Sequence, residues 1–169
     1  NPKAPGWVYV KRKPTPFGNE VHTIADKKTK ILFRMELLEG KDHPQQLPEK
    51  YSVKDNRIQG LLFRLTESIW HSHRVVALDS GFGVLRAVTS LIDVGVHTVT
   101  VYKQHGSSFS RGVPGHAAKE KLASGSLGDV IVKEGHHTIK TNQKFMIMAM
   151  KDETFVHVMS STFGTVDRA

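Results

Sequence analysis

Cysteine is absent from all 169 residues. Its absence excludes a disulfide framework and any zinc site built on thiolates. No stretch approaches the roughly 20 consecutive apolar residues that a membrane-spanning helix needs, so a soluble, intracellular chain with no membrane role is expected. Internal repeats and low-complexity tracts are missing too, which rules out a repeat array. Acid is scarce against base: 16 Asp and Glu stand against 24 Lys and Arg, for a formal charge of +8. Solubility alone would explain a smaller excess, and this one favours a polyanionic partner, nucleic acid above all. The chain opens on Asn1 with no charged-then-apolar leader, and it is expected to be a piece of a longer one.

What is present fits one globular domain: 38% hydrophobic and 24% charged residues are enough for a core and too apolar for disorder. The stretch that organises the rest is Arg74-Val-Val-Ala-Leu-Asp79-Ser-Gly-Phe-Gly83. Its four apolar residues predict a strand buried on both faces, and the glycine-bracketed turn leads into apolar positions 84, 85, 88, 91 and 92 at helical spacing. Asp79 then stands at the carboxyl end of a strand, where open α/β sheets place functional groups. Two readings stay open: Asp79 or Ser80 caps the following helix, or Asp79 is a catalytic or metal-binding acid. The Gly81-Phe-Gly83 turn lacks a third glycine and a following Lys-Ser/Thr, so it is not a phosphate loop.

Upstream, residues 1–16 carry four of the seven prolines and predict an extended arm with a short strand at Trp7–Val10. Glu20–Ala25 and Lys30–Leu37 predict a hairpin whose turn contains Asp26, an acid suited to local bonding there. Residues 38–50 predict a loop. Ser52–Asp55 offers a capping box, and Ile58, Leu61, Leu62, Leu65 and Ile69 predict a helix from about Asp55 to Trp70. His71-Ser-His73 could share a strand face and bind metal, but without a third ligand at a familiar spacing a polar connection is the better reading. Gly95 ends the second helix, and His97–Tyr102 predicts the next strand.

Downstream, residues 103–116 predict a basic, glycine-rich surface loop, followed by a short helix at 117–123. Strand-like runs fall at 128–132, 138–141, 144–150 and 154–159, the last two forming a hairpin around Lys151-Asp-Glu. Met146, Met148, Met150 and Met159 are expected to fill core gaps, and His136-His137 to sit in a turn.

Three runs together resemble the piggyBac-type transposase domain: Lys13-Pro-Thr-Pro-Phe-Gly-Asn-Glu-Val-His-Thr-Ile-Ala-Asp26, Phe33-Arg-Met-Glu-Leu-Leu-Glu-Gly-Lys-Asp42 and Val75-Val-Ala-Leu-Asp-Ser-Gly-Phe-Gly83. The match continues through Val99–Lys103, Val113-Pro114 and Val158–Thr162, so it covers nearly the whole chain. The resemblance implies an α/β fold, a ribonuclease-H-like mixed sheet with flanking helices, interrupted by a β-rich insertion. Residues 1–102 would be the partial catalytic core, and 103–169 the loop and incomplete insertion subdomain.

The resemblance also implies roles. Three aspartates hold divalent metal, usually Mg2+, for DNA cleavage and strand transfer, and Asp79 matches the second. The first belongs on the strand before the Lys13 run, where residues 1–19 hold no acid. The third is expected beyond the insertion, and Asp167 falls too early for it. One carboxylate supplies too few ligands for magnesium, so this stretch alone is expected to be inactive and to bind no metal stably. Lys103, Arg111, Lys119 and Lys121 would grip phosphates of the transposon end, or else form solvated surface. DNA is the implied partner, a homodimer is compatible with the family, and the nucleus is the implied location. A rival reading is a domesticated, non-catalytic DNA-binding module.

Overall fold

The computed structural model describes residues 6–11, 13–38, 57–102, 118, 120–136, 144–153 and 156–160. The expected loop over 38–50 (but for Leu38), the capping box at 52–55, the loop 103–116, the strand at 138–141, His137 and Asp167 lie outside them.

Among the described residues the longer elements follow in the order β1 (Trp7–Tyr9), β2 (Phe17–Asn19), β3 (Val21–Ala25), β4 (Leu32–Leu37), α1 (Arg57–Thr66), β5 (Val75–Leu78), α2 (Leu85–Asp93), β6 (His97–Val101), β7 (Val130–His136), β8 (Lys144–Met150) and β9 (Val156–Ser160). They make two antiparallel two-stranded sheets, β1-β2 and β3-β4, and one five-stranded sheet of order β5-β6-β9-β8-β7. Within the large sheet β5 and β6 run parallel, and the remaining pairs are antiparallel. Sheet and helix thus alternate as a mixed α/β architecture, and β9 joins β6 to the late strands in one sheet.

The β3-β4 turn forms because Asp26 accepts bonds at Oδ2 from the Thr29 amide (2.6 Å) and the Thr29 hydroxyl (2.8 Å). These bonds hold the carboxyl below its ordinary range. The hairpin docks on α1 through two ion pairs. Arg64, buried to 9% exposure, donates through Nε and Nη2 to both carboxylate oxygens of Glu36, and Arg34 reaches Glu67 at 3.1 Å. Helix α1 ends in a 3-10 turn over Glu67–Ile69. Gln59 on α1 donates to Ser90 on α2 at 2.7 Å.

The core lies between the helices and one face of the strands. Leu62, Ile69, Ala87, Leu91 and Val96 form its centre, with Ile24 of β3 and Val76 and Leu78 of β5 packed against them. A second cluster joins Val88 and Tyr102 to Phe145 and Ile147 of β8. A third joins Ala118 and Leu122, on the short helical turn, to Ala149.

Three expectations need correction. Strand β5 is not buried on both faces: Val75 is 50% exposed and Ala77 is exposed. It is an edge strand, and among the described residues helices cover only the Val76 and Leu78 side. Met146, Met148 and Met150 are half-buried on the opposite face of β8 from Phe145 and Ile147, so they do not fill the core. His136 ends β7 and is not in a turn.

Candidate active site

Asp79 follows the last residue of β5, and Ser80–Phe82 form a single 3-10 turn before α2. The position is the one expected from the strand-turn-helix pattern. The capping reading is not what forms: Asp79 makes no side-chain cap bond, and the N-cap of α2 is Val84, also without one. The Asp79 carboxylate is solvent-exposed and accepts a bond from its neighbour Ser80 Oγ at 3.2 Å.

Two contacts fix the turn that carries it. Gly83 lies so close to the Val101 carbonyl that a Cβ there would collide with backbone, with Thr100 Oγ1 at 3.2 Å behind it. Only glycine lets the turn press onto β6 in this way. From the other side, the half-buried His22 ring meets Phe82 edge-on at 5.4 Å, and His22 is itself paired with Glu20 at 2.9 Å. The Asn-Glu-Val-His run of the hairpin is therefore tied to the turn after Asp79, a link across 60 residues that no local pattern signals.

The other candidates are dispersed. Lys121 is exposed on the short helical turn, whereas Lys103, Arg111 and Lys119 lie outside the described residues. His71 and His73 make the expected connection: both adopt left-handed backbone (φ 58 and 53), and their amides donate to the Val94 and Gly95 carbonyls at 2.7 and 2.9 Å. The His73 ring stacks on His97 at 5.7 Å. Among the described residues no group of three or more His, Cys, Asp or Glu could hold a metal ion. Asp79 by itself does not fit a magnesium site, which needs more oxygen ligands than one carboxylate offers.

The Transposase IS4 family profile matches residues 1–169, the whole chain. The chain belongs to that transposase family. No curated protein matches the sequence significantly. Among solved structures the fold is similar to a chain described as the cryo-EM structure of a piggyBac transposase synaptic complex with hairpin DNA. The TM-score is 0.70 at 14% identity, over 98% of this chain and 31% of that one. The piggyBac-type resemblance read from the three motif runs is borne out, and residues 1–169 are a transposase segment. They span about a third of the piggyBac chain they match. No helix among the described residues is long and apolar enough to cross a membrane.

Proposed function

We propose that these residues are part of the catalytic core of a piggyBac-type DNA transposase, with Asp79 as the second of three aspartates that hold divalent metal. The observation that carries this reading is the placement of Asp79: an exposed carboxylate at the end of β5, on a turn clamped by Gly83 and Phe82, in a transposase family fold. Divalent metal, where bound, would supply the Lewis-acid stabilisation that phosphoryl transfer on DNA needs, and Asp79 would be one of its ligands. The described residues do not complete that site. What this chain supplies is one ligand and the rigid turn that aims it.

A ribonuclease-H-like sheet is supported by a gap. Strands β3 and β5 lay Ile24 and Val76 on the same core cluster, yet belong to different sheets. One strand contributed from outside the described residues, carrying the first aspartate, would join them. Residues 1–102 are then the partial core and 103–169 the insertion, with Lys103, Arg111, Lys119 and Lys121 contacting DNA phosphates. Action on DNA in the nucleus, as a homodimer, belongs to the same reading.

The full-length protein should nick or join DNA only with magnesium or manganese present, and Asp79→Asn should abolish that activity. Residues 1–169 alone should show none. Cleavage that survives Asp79→Asn would remove Asp79 from the site. DNA binding without cleavage by the full-length protein would turn the reading to the non-catalytic module.

A further inference from the structure

The hairpin turn at the far end of the sheet from Asp79 carries Lys27, Lys28 and Lys30 within four residues, all exposed. Two independent contacts place this turn beside the start of β5. Arg34, opposite Ile24 near the turn, is paired with Glu67 at the end of α1, and the chain passes from there through His71 and His73 to Arg74. At the other end of β3, His22 meets Phe82 just after Asp79. Arg74 and Asp79 are five residues apart along β5, roughly 17 Å for an extended chain. The turn lysines and the exposed Arg74 therefore share one end of the molecule, and Asp79 has the other.

The charge at this end is only partly answered locally: the Asp26 carboxylate lies within electrostatic reach of Arg74, which also places the turn beside the start of β5, and leaves the three lysines in excess. None of Lys27, Lys28 and Lys30 makes an ion pair with a described residue. The Asp26 carboxylate is engaged within the turn by Thr29, and Glu67 is paired with Arg34. Lys30 adds a second kind of observation: its φ is +62, left-handed backbone that glycine or asparagine adopts with less strain. The turn geometry therefore does not itself favour lysine at this position.

We propose that Lys27, Lys28, Lys30 and Arg74 form a contact surface for the phosphate backbone of duplex DNA, separate from the Asp79 end. Lysines at this spacing on a rigid hairpin tip suit point-charge contacts along one strand and read no sequence. The surface rests on the transposase reading above. It would hold duplex about 17 Å along β5 from Asp79, steadying the DNA without entering the chemistry.

The test is a salt titration of random-sequence duplex binding by the full-length protein and its Lys27→Gln/Lys28→Gln/Lys30→Gln variant. Each phosphate contact contributes about 0.9 to the log–log salt slope. The variant should bind more weakly at low salt, with a slope shallower by about 2.7. A variant with the wild-type slope and affinity would overturn the surface and leave the transposase reading intact. A wild-type protein that fails to bind duplex at low salt would sink that reading itself. Lys30→Gly separates charge from structure. It should melt at the same temperature or higher, because the left-handed strain is relieved, and still bind DNA less well. A lower melting temperature with unchanged DNA binding would make Lys30 a structural residue and refute its part in the surface.

Discussion

The two faces of the strands differ more than any two segments of the chain. Toward α1 and α2, Ile24, Val76, Leu78, Phe145 and Ile147 meet helices, and Leu62 and Leu91 are sealed to 1% and 0% exposure. Away from the helices, Val75, Ala77 and Val99 of the large sheet stand in water, and so do Val130 and Val132. On the hairpin, Val21 and Leu37 pair across the strands and are exposed, as is Met35 at 62%. An apolar face of this breadth is uncommon on a free-standing protein, and the segment matches 31% of a longer transposase chain, so whether further protein covers that face is open to test. The first face is a closed core, and the second is apolar surface left open.

The contrast should break first at Arg64. It is the more buried of the two charged groups that tie the hairpin to α1, and Arg64→Ala would leave the Glu36 carboxylate partly buried without this counter-charge. A loss of about 3–5 kcal/mol is expected from chemical denaturation of the full-length protein. The more exposed pair, Arg34 with Glu67, should contribute no more than about 1 kcal/mol by the same measurement. A loss of similar size for Arg34→Ala would mean that the two ion pairs do not differ in burial as described.

Leu62→Ala comes next, at about 2–5 kcal/mol for a cavity in packed core. Its counterpart on the bare hairpin face, Met35→Ala, tests what covers that face. In residues 1–169 it should change stability by no more than about 0.5 kcal/mol. In the full-length protein the change should approach that of a core residue. Equal, small changes in both would mean that the hairpin face stays in water.

This difference between faces also marks where the sequence was readable. The Asp26 turn, the strand-turn-helix around Asp79 and the strands and helices from β3 to β6 follow from local patterns, whereas β2 (Phe17–Asn19) and the extension of β7 to His136 do not. Val75-Val-Ala-Leu78 reads as buried on both sides because four apolar residues in a row look the same whether their second face is covered by this chain or by another. Met146, Met148 and Met150 misled in the same way. Arg64 had no visible signal, since it falls in a helical pattern as a polar residue and its partner Glu36 lies 28 residues away. The His22–Phe82 contact is likewise a product of tertiary packing. Lys27 and Lys28 fall within the predicted turn and Lys30 at the start of the predicted second strand, whereas β4 begins only at Leu32 and Lys30 belongs to the turn; a turn explains Asp26 without asking what its neighbours do.

The smallest effect expected is a pH dependence at the connection between the two helices' strands, where His97 pairs with Val75 across β5 and β6 and stacks on His73. Burial, and then the charge of His73, lower the His97 pKa from its ordinary value of 6.5. The unfolded chain therefore binds the proton more readily than the folded one. By linkage, stability is fully present above about pH 6.5 and declines as pH falls through that value toward the depressed folded one. Asp26 does not confuse the reading: its pKa is lowered from 3.8, so the stability it contributes is lost only as pH falls below the carboxylate range. Melting temperatures between pH 8 and pH 5 should fall for the wild-type protein and fall less for His97→Gln, with His73→Gln giving a smaller relief because its charge is the lesser cause. Identical profiles for wild type and His97→Gln would show that the imidazole titrates alike in the folded and unfolded chain, and that the stacked pair is open to water.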